Sequence, residues 1–579
     1  MTTPRSYVPL RFALRRPLSL MDFAVLVAVL VLLYAVLRVG HGATASFSPA
    51  ALQHVSTSPS RLSYDAARSL LRMFIALFFS TVFTLVYGYA AARGRRAEKV
   101  LVPILDILQS VPVLGFLTIT VTAFIALAPG TELGLEAASI FAIFTAQAWN
   151  MTFSFYVSLK SMPRELDELS RSLRLTRWQR FWKIEVPNGT IGLVWNGMLS
   201  FGGAWFFLVA SEAISLHNHT YSLPGIGSFA GAAVAKGDLG AIGLAIATMI
   251  VMVIGVNVVF WRPLIAWSER FRYETTEAAD TQRSLVLELL ARSSWPRVLG
   301  RLRARLAEPL GRAMRILGRD DTPPVAVAAR QRAGDIAFAV ITGVLVAYGA
   351  YETLRFIVTS PGAGLGQIPH CFVLGAATFS RVVVLLVFAT LVWVPVGVWI
   401  GMNPRVARLA QPVVQVLASF PANFLFPLAA LAFIALEVPI DVGGILLMAL
   451  GAQWYILFNV IAGASAIPSD LREAMSVLGV RGVQRWKRLI VPGILTSYVT
   501  GGITAAGGAW NASIVAEVVT YHHTTLTATG LGAYIVAASN AGNKARLICG
   551  VAVMAVFVVT VNRLFWRRLY RLAETRYSL

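Results

Sequence analysis

The stretch "REAMSVLGVRGVQRWKRLIVP" (Arg472–Pro492) decides how this chain is read, because it recurs. A near-copy, "DELSRSLRLTRWQRFWKIEVP" (Asp167–Pro187), ends at an equivalent proline 305 positions earlier. Both are charged, helix-like islands set between long apolar runs. Working outward from them at that offset, Trp149 falls on Trp454, Pro163 on Pro468, "GGAW" (202–205) on "GGAW" (507–510), and Glu212 on Glu517. Nearer each start the offset becomes 309, pairing Arg72 with Arg381, Gly88 with Gly397, and Ser110 and Pro112 with Ser419 and Pro421. Composition bias in hydrophobic helices aligns leucines and valines; it does not hold Trp, Pro, Glu and Gly in one register over such a distance. The chain is an internal duplication.

Composition fixes the solvent. Of 579 residues, 57% are hydrophobic and 13% charged, too little polar surface for a soluble globule. Several apolar runs reach the roughly 20 residues a helix needs to cross hydrocarbon. The formal charge of +22 would suggest nucleic acid in a soluble protein. Here the arginines sit at the ends of apolar runs and no basic stripe interleaves with aromatics, so they read as topology and lipid-headgroup contacts, with no nucleic-acid partner. Two cysteines, Cys371 and Cys549, exclude a disulfide framework or a thiolate metal site.

Six spans are expected in each half: near 21–39, 68–92, 102–128, 135–159, 190–212 and 239–262, then near 335–357, 379–401, 410–436, 441–464, 495–517 and 545–566. The basic N-terminus before the first run resembles a signal peptide, with "ATA" (43–45) like a cleavage site, but the run is long for a signal core and reads as a retained helix. The expected fold is an all-α integral membrane protein of about twelve helices: a first unit (1–274), a basic linker (275–333) holding an amphipathic stretch at 295–319, and a second unit (334–579). Arg5, Arg11, Arg15 and Arg16, "RGRRAEK" (93–99) and the islands lie on one side, placing the N-terminus and both islands in the cytoplasm of an inner membrane. An even span count makes the repeats parallel, with a pseudo-two-fold axis along the membrane normal.

Each island reads as an elbow. Ser469 or Asp470 is expected to cap a first helix with Glu473 in its first turn, Gly479 to turn the chain, and Val480–Arg488 to form a second helix before Pro492 begins the next span. One elbow alone would read as a helix resting on lipid; two at equivalent places favour a two-fold-related soluble partner. On these residues both islands resemble the coupling loop of ABC-importer permeases, E-A-A, three residues, G, nine residues, I-x-L-P. The second half supplies Glu473, Ala474, Gly479, Leu489 and Pro492, and the first Glu168, Ile184 and Pro187. The first departs from the pattern at Arg174, where glycine belongs, so a shallower bend and unequal coupling are expected there.

The resemblance implies a type I importer fold, two copies of a cytoplasmic ABC ATPase subunit, and a periplasmic or lipid-anchored substrate-binding protein. "AEVVTYHHTTLTATGLGAYI" (516–535) and "FWRPLIAWSERFR" (260–272) are similar to permeases of the nitrate, sulfonate and taurine group, whose duplicated branch this chain resembles. No G-x-x-x-x-G-K-[ST] loop occurs, so ATP and Mg are expected on the partner ATPases, with no cofactor and no catalysis on this chain.

Candidate pathway or gate residues are Asn196, Ser200, Trp205 and Glu212 on one fifth span and Trp510, Asn511 and Glu517 on the other. Two roles stay open for the glutamates: fixing the following "LPGIG" and "TGLG" segments, or serving as gates or binding-protein contacts. Ser110–Pro112 and Ser419–Pro421 should break their spans, either exposing backbone N–H groups to an anion or serving helix packing. His217, His219, His522 and His523 raise a metal reading, but no cysteine or acidic cluster completes a site. Rival readings are a fused importer of ferric ion or another solute, and an ion-driven secondary transporter.

Overall fold

The computed structural model describes residues 55–271, 328–359 and 366–576, apart from 111–112, 130, 217–218 and 522–523. The expected span at 21–39 and the amphipathic stretch at 295–319 lie outside these residues. So do Pro112 and three of the four histidines.

The first half runs α1 (Leu62–Arg93), α2 (Arg95–Ser110), α3 (Val113–Leu127), α4 (Leu133–Lys160), α5 (Arg164–Ser172), α6 (Arg177–Arg180) and α7 (Val186–Glu212). A hairpin of β1 (Ala213–Leu216) and β2 (His219–Ser222) follows, then α8 (Ile226–Lys236), α9 (Leu239–Val256) and α10 (Arg262–Ser268). The second half repeats the order as α11 (Ala328–Thr359), α12 (Gln367–Met402), α13 (Pro404–Ser419), α14 (Phe426–Ala435), α15 (Ile440–Ser465), α16 (Ser469–Val477), α17 (Gly482–Arg485) and α18 (Val491–Ala516). It closes with β3 (Val518–Tyr521), β4 (Thr524–Thr527), α19 (Leu531–Asn540), α20 (Lys544–Val561) and α21 (Arg567–Arg576). The hairpins keep the 305 register, Ala213 pairing Ser222 as Val518 pairs Thr527. Among the described residues seven helices are long and apolar enough to cross a membrane.

The third span of the second half is short because it is broken. In the second half α13 stops at Ser419, and Phe420 (φ −72°, ψ 127°) and Pro421 (φ −70°, ψ 109°) are extended before a 3₁₀ turn and α14. Proline disfavours helical backbone in the residue before it and offers no N–H to the ladder. In the first half α2 runs to Ser110 and α3 starts at Val113.

Among the described residues four π turns also occur in register: Phe181–Glu185 with Trp486–Ile490, and Asn257–Trp261 with Asn562–Trp566. The first pair corrects the expected boundary at Pro187 and Pro492. The elbow's second helix does not stop there; Gly482–Ala516 is one continuous span, as is Arg177–Glu212. The wider i→i+5 turn just ahead of each proline shifts the carbonyls with which its ring would clash.

The halves interlock reciprocally. The α2–α3 span packs on α18 and α20, and α13 packs on α7 and α9. Phe424 of the second half is buried in the first half's core, and Phe206 of the first half packs against the second's. Because α7 and α18 each join an elbow at the N-terminal end to a hairpin at the C-terminal end, elbows and hairpins sit on opposite faces. A helix of that length separates them by about 40 Å.

Candidate functional site

The elbows close their first helices with the same backbone turn. After α5 the Leu175 N–H donates to the Ser170 carbonyl (3.1 Å) and the Arg174 N–H to that of Arg171 (3.0 Å). After α16 the Val480 N–H donates to Met475 (2.9 Å) and the Gly479 N–H to Ser476 (3.1 Å). This paired closure of a helix end needs a left-handed residue. Gly479 (φ 67°) and Arg174 (φ 45°) both supply it. The shallower bend expected at Arg174 is therefore not found: the two hydrogen bonds hold an arginine in the conformation that suits glycine. The expected cap is corrected as well. Pro468 (φ −55°, ψ 140°) is the N-cap, Ser469 is already helical, and its hydroxyl bonds Asp470 Oδ1 at 3.3 Å. In the first elbow a capping box joins Thr176 and Gln179 at the start of α6.

Glu168, Glu473 and Ala474 are exposed on α5 and α16, with Arg174 and Gly479 exposed at the turn. Ile184 and Leu489 are buried, anchoring each elbow to the bundle, and Pro187 and Pro492 are half-buried. Sequence reading missed an ion chain in the first elbow. Asp167 accepts from Arg171 (2.8 Å) and Arg180, Arg180 Nε donates to Glu185 (2.8 Å), and Arg93 at the end of α1 also pairs with Glu185. Burial pushes the Asp167 carboxyl up, but Arg180, helped by Arg171 and Arg93, outweighs it and holds the group below its ordinary value.

At the other face each glutamate closes a buried cluster. Glu212, 0% exposed, accepts from Arg72 Nη1 (2.6 Å), Ser69 Oγ (2.5 Å) and the Gly227 N–H (2.7 Å). Arg72 also donates to Glu136 (2.6 and 2.7 Å), which takes Arg68 too. In the second half Glu517, 0% exposed, accepts from Arg381 Nη1 (2.9 Å), Thr378 Oγ1 (2.7 Å) and the Ala533 N–H (3.1 Å), while Arg381 pairs with Asp441. The chain leaving each hairpin is thereby tied to the bundle. Gly225 and Gly530 lie so close to the two carboxylates that a Cβ on either would overlap them. Register alone flagged Glu212, Glu517, Arg72 and Arg381. It did not reveal Glu136, Asp441, Ser69 or Thr378 as their partners.

The remaining candidates lie on α7, α18 and the broken spans. Asn196 donates to Ser154 Oγ (2.8 Å), and Ser200 accepts from Asn150 (3.1 Å). Trp205 and Trp510 are each 1% exposed, at core positions. Asn511 Oδ1 accepts the N–H of Val113 (2.9 Å), so the donor at the start of α3 is taken by the opposite half. Ser110 is the last residue of α2, and Pro421 caps the turn after α13. Gly202, Trp205, Asn257, Trp261, Gln415 and Ser419 line a cavity of about 10 Å³ between the halves, room for about one water. Gln415 Nε2 donates there to Asn257 Oδ1 (3.1 Å). Cys371 and Cys549, remote in sequence, meet as buried free thiols with sulfurs 3.7 Å apart.

The family model described as binding-protein-dependent transport system inner membrane component matches twice, over residues 64–262 and 393–578. The chain is 25% identical over 189 residues to the nitrate import permease protein NrtB of Leptolyngbya laminosa, covering 33% of this chain and 64% of that protein. It is 26% identical over 182 residues to the taurine transport system permease protein TauC of Escherichia coli K12 (31% and 62%). It is 27% identical over 143 residues to the bicarbonate transport system permease protein CmpB of Synechococcus elongatus (25% and 50%). The matched regions thus span half to just under two thirds of these relatives' length.

Proposed function

The chain belongs to the binding-protein-dependent transport system inner membrane components, and from that premise we propose that it is the fused permease subunit of an ATP-driven importer for a small anion. In this reading it lies in a bacterial inner membrane with its N-terminus cytoplasmic. Each elbow carries one copy of an ATPase subunit, on which ATP and Mg reside, and a substrate-binding protein delivers cargo at the hairpin face. The two units, 1–274 and 334–579, flank one pathway, with 275–333 as a cytoplasmic linker.

The observation that carries the reading is the pair of elbows, built with the same hydrogen bonds and running without interruption into α7 and α18. A rigid helix joined to a surface elbow transmits a displacement at one face to the other. Closure of two ATPases would bring the elbows together and open the opposite face; hydrolysis would reset it. Nitrate-, sulfonate- or taurine-like compounds are the first candidates for cargo. Asn511 and Ser419 at the contact between the halves are neutral hydrogen-bonders, as are Asn196 and Ser200 on α7, which suits an anion held without a full countercharge. Glu212 and Glu517, bound into their clusters, would brace the gate at the hairpin face.

Copurification and uptake test this. The purified chain should retain a nucleotide-hydrolysing subunit, and vesicles holding both plus the binding protein should import anion only with ATP. Glu473→Ala or Gly479→Pro should lower transport-linked hydrolysis by about tenfold, equivalent to about 1.4 kcal/mol at the joint, while leaving the membrane fold intact. Import driven by an ion gradient without nucleotide would overturn the reading.

A further inference from the structure

The elbows share the turn that closes their first helices but not their electrostatics. In the first, the chain Arg171–Asp167–Arg180–Glu185–Arg93 is complete. In the second the same positions hold Ser476, Arg472, Arg485, Ile490 and Met402. Arg485 is kept, but both carboxylates that would neutralise it are gone, and Asp167 is replaced by the opposite charge. Arg485 Nε is buried and has no hydrogen-bond partner. Among the described residues no ion pair involves Arg472, Arg481, Arg485, Lys487 or Arg488. An unsatisfied buried guanidinium N–H costs free energy that an incoming carboxylate would recover. The surroundings form a docking surface, with Val477 (87% exposed), Leu478 (74%) and Val483 (69%) facing outward.

We propose that Arg472 and Arg485 form a receptor for an acidic side chain of the ATPase subunit seated on the second elbow. The first elbow, whose equivalent cation is already neutralised within the chain, docks its ATPase through Leu173, Trp178 and Trp182 without that acid. The two motor contacts are then chemically unequal. The difference lies not at Arg174, where the sequence departs from the family pattern, but at Asp167 and Glu185, where the first half departs from the second. The proposal rests on the elbows being ATPase sockets. What it adds is the chemistry each socket demands: an apolar, aromatic contact at one and a carboxylate at the other. Arginine suits this role because its planar fork binds a carboxylate through two parallel hydrogen bonds.

The test is binding of the copurified ATPase subunit to the full chain in lipid nanodiscs, at low and high salt. Arg472→Asp installs the first elbow's internal partner for Arg485 and should leave the thermal midpoint unchanged or raised. It should weaken ATPase binding about tenfold and flatten the salt dependence, as expected when one charge-assisted contact is removed. Arg485→Gln, which removes the cation without adding a charge, should lower affinity and salt slope in the same direction. Unchanged affinity and salt slope in both variants would overturn this proposal while leaving the elbows as ATPase sockets. If the unaltered chain binds no ATPase at all, the functional reading itself fails.

Discussion

Arg72 ties α1 to both α4 and α7. It is 2% exposed and joins two carboxylates on different helices, Glu136 on α4 and Glu212 at the end of α7. A buried guanidinium is tolerated only with partners, and removing one member of such a pair leaves the other charge unmatched, at about 3–5 kcal/mol. Arg72→Met should therefore lower the thermal midpoint in detergent sharply, and Glu212→Met should do the same. The double variant should recover much of the loss, since two well-packed apolar groups leave no charge behind. Strict additivity of the single losses would show that the pair is not coupled. The sequence made Glu212 and Arg72 visible through register, because each recurs in the second half. It could not show that they touch, since they are 140 positions apart. Nor could it expose Arg68, whose equivalent in the second half is Ala377 and which therefore leaves no trace in the repeat.

At the scale of the element, the elbow was legible in composition and spacing but not in geometry. Pro468, Glu473, Gly479 and Pro492 located its parts. The π turn before Pro492 adds one residue to a helical turn without changing residue type, so no periodicity announces it. Arg174 shows the converse: a residue read as a departure adopts the very conformation it was expected to forfeit, because the flanking hydrogen bonds impose it. Non-glycine residues in left-handed backbone are disfavoured by about 1–2 kcal/mol. Gly479→Ala should destabilise by about 1 kcal/mol, and Arg174→Gly should be neutral or mildly stabilising, since relief of that conformation offsets glycine's greater chain entropy. Thermal midpoints of the two variants in the same detergent decide the point. Equal losses in both would mean that the turn at Arg174 is held by its side chain and not by its backbone.

For the whole molecule, duplication and fold class could be read from residue register alone, whereas the way the halves meet could not. Fifth spans hold the repeated "GGAW", which drew attention to those helices, yet each is met by the third span of the opposite half. Apolar helices give no pattern naming the partner against which a face packs, and small residues mark only that something approaches closely. Gly202 is such a residue, and what approaches is Ser419: a Cβ on Gly202 would lie 3.4 Å from the Ser419 Cβ, close to the separation a disulfide requires. Gly202→Cys with Ser419→Cys, made in a chain whose Cys371 and Cys549 are changed to serine, should form a bridge in membranes under mild oxidation. With a protease site placed in the 275–327 connection, cleaved halves should then migrate together on a non-reducing gel and separate on reduction. The Cβ would also crowd the serine, so some loss of thermal stability is expected in the reduced form. If the halves separate without reductant while each single cysteine reacts freely with maleimide, the third and fifth spans do not meet here. A pathway between the halves would then have to be sought along different helices.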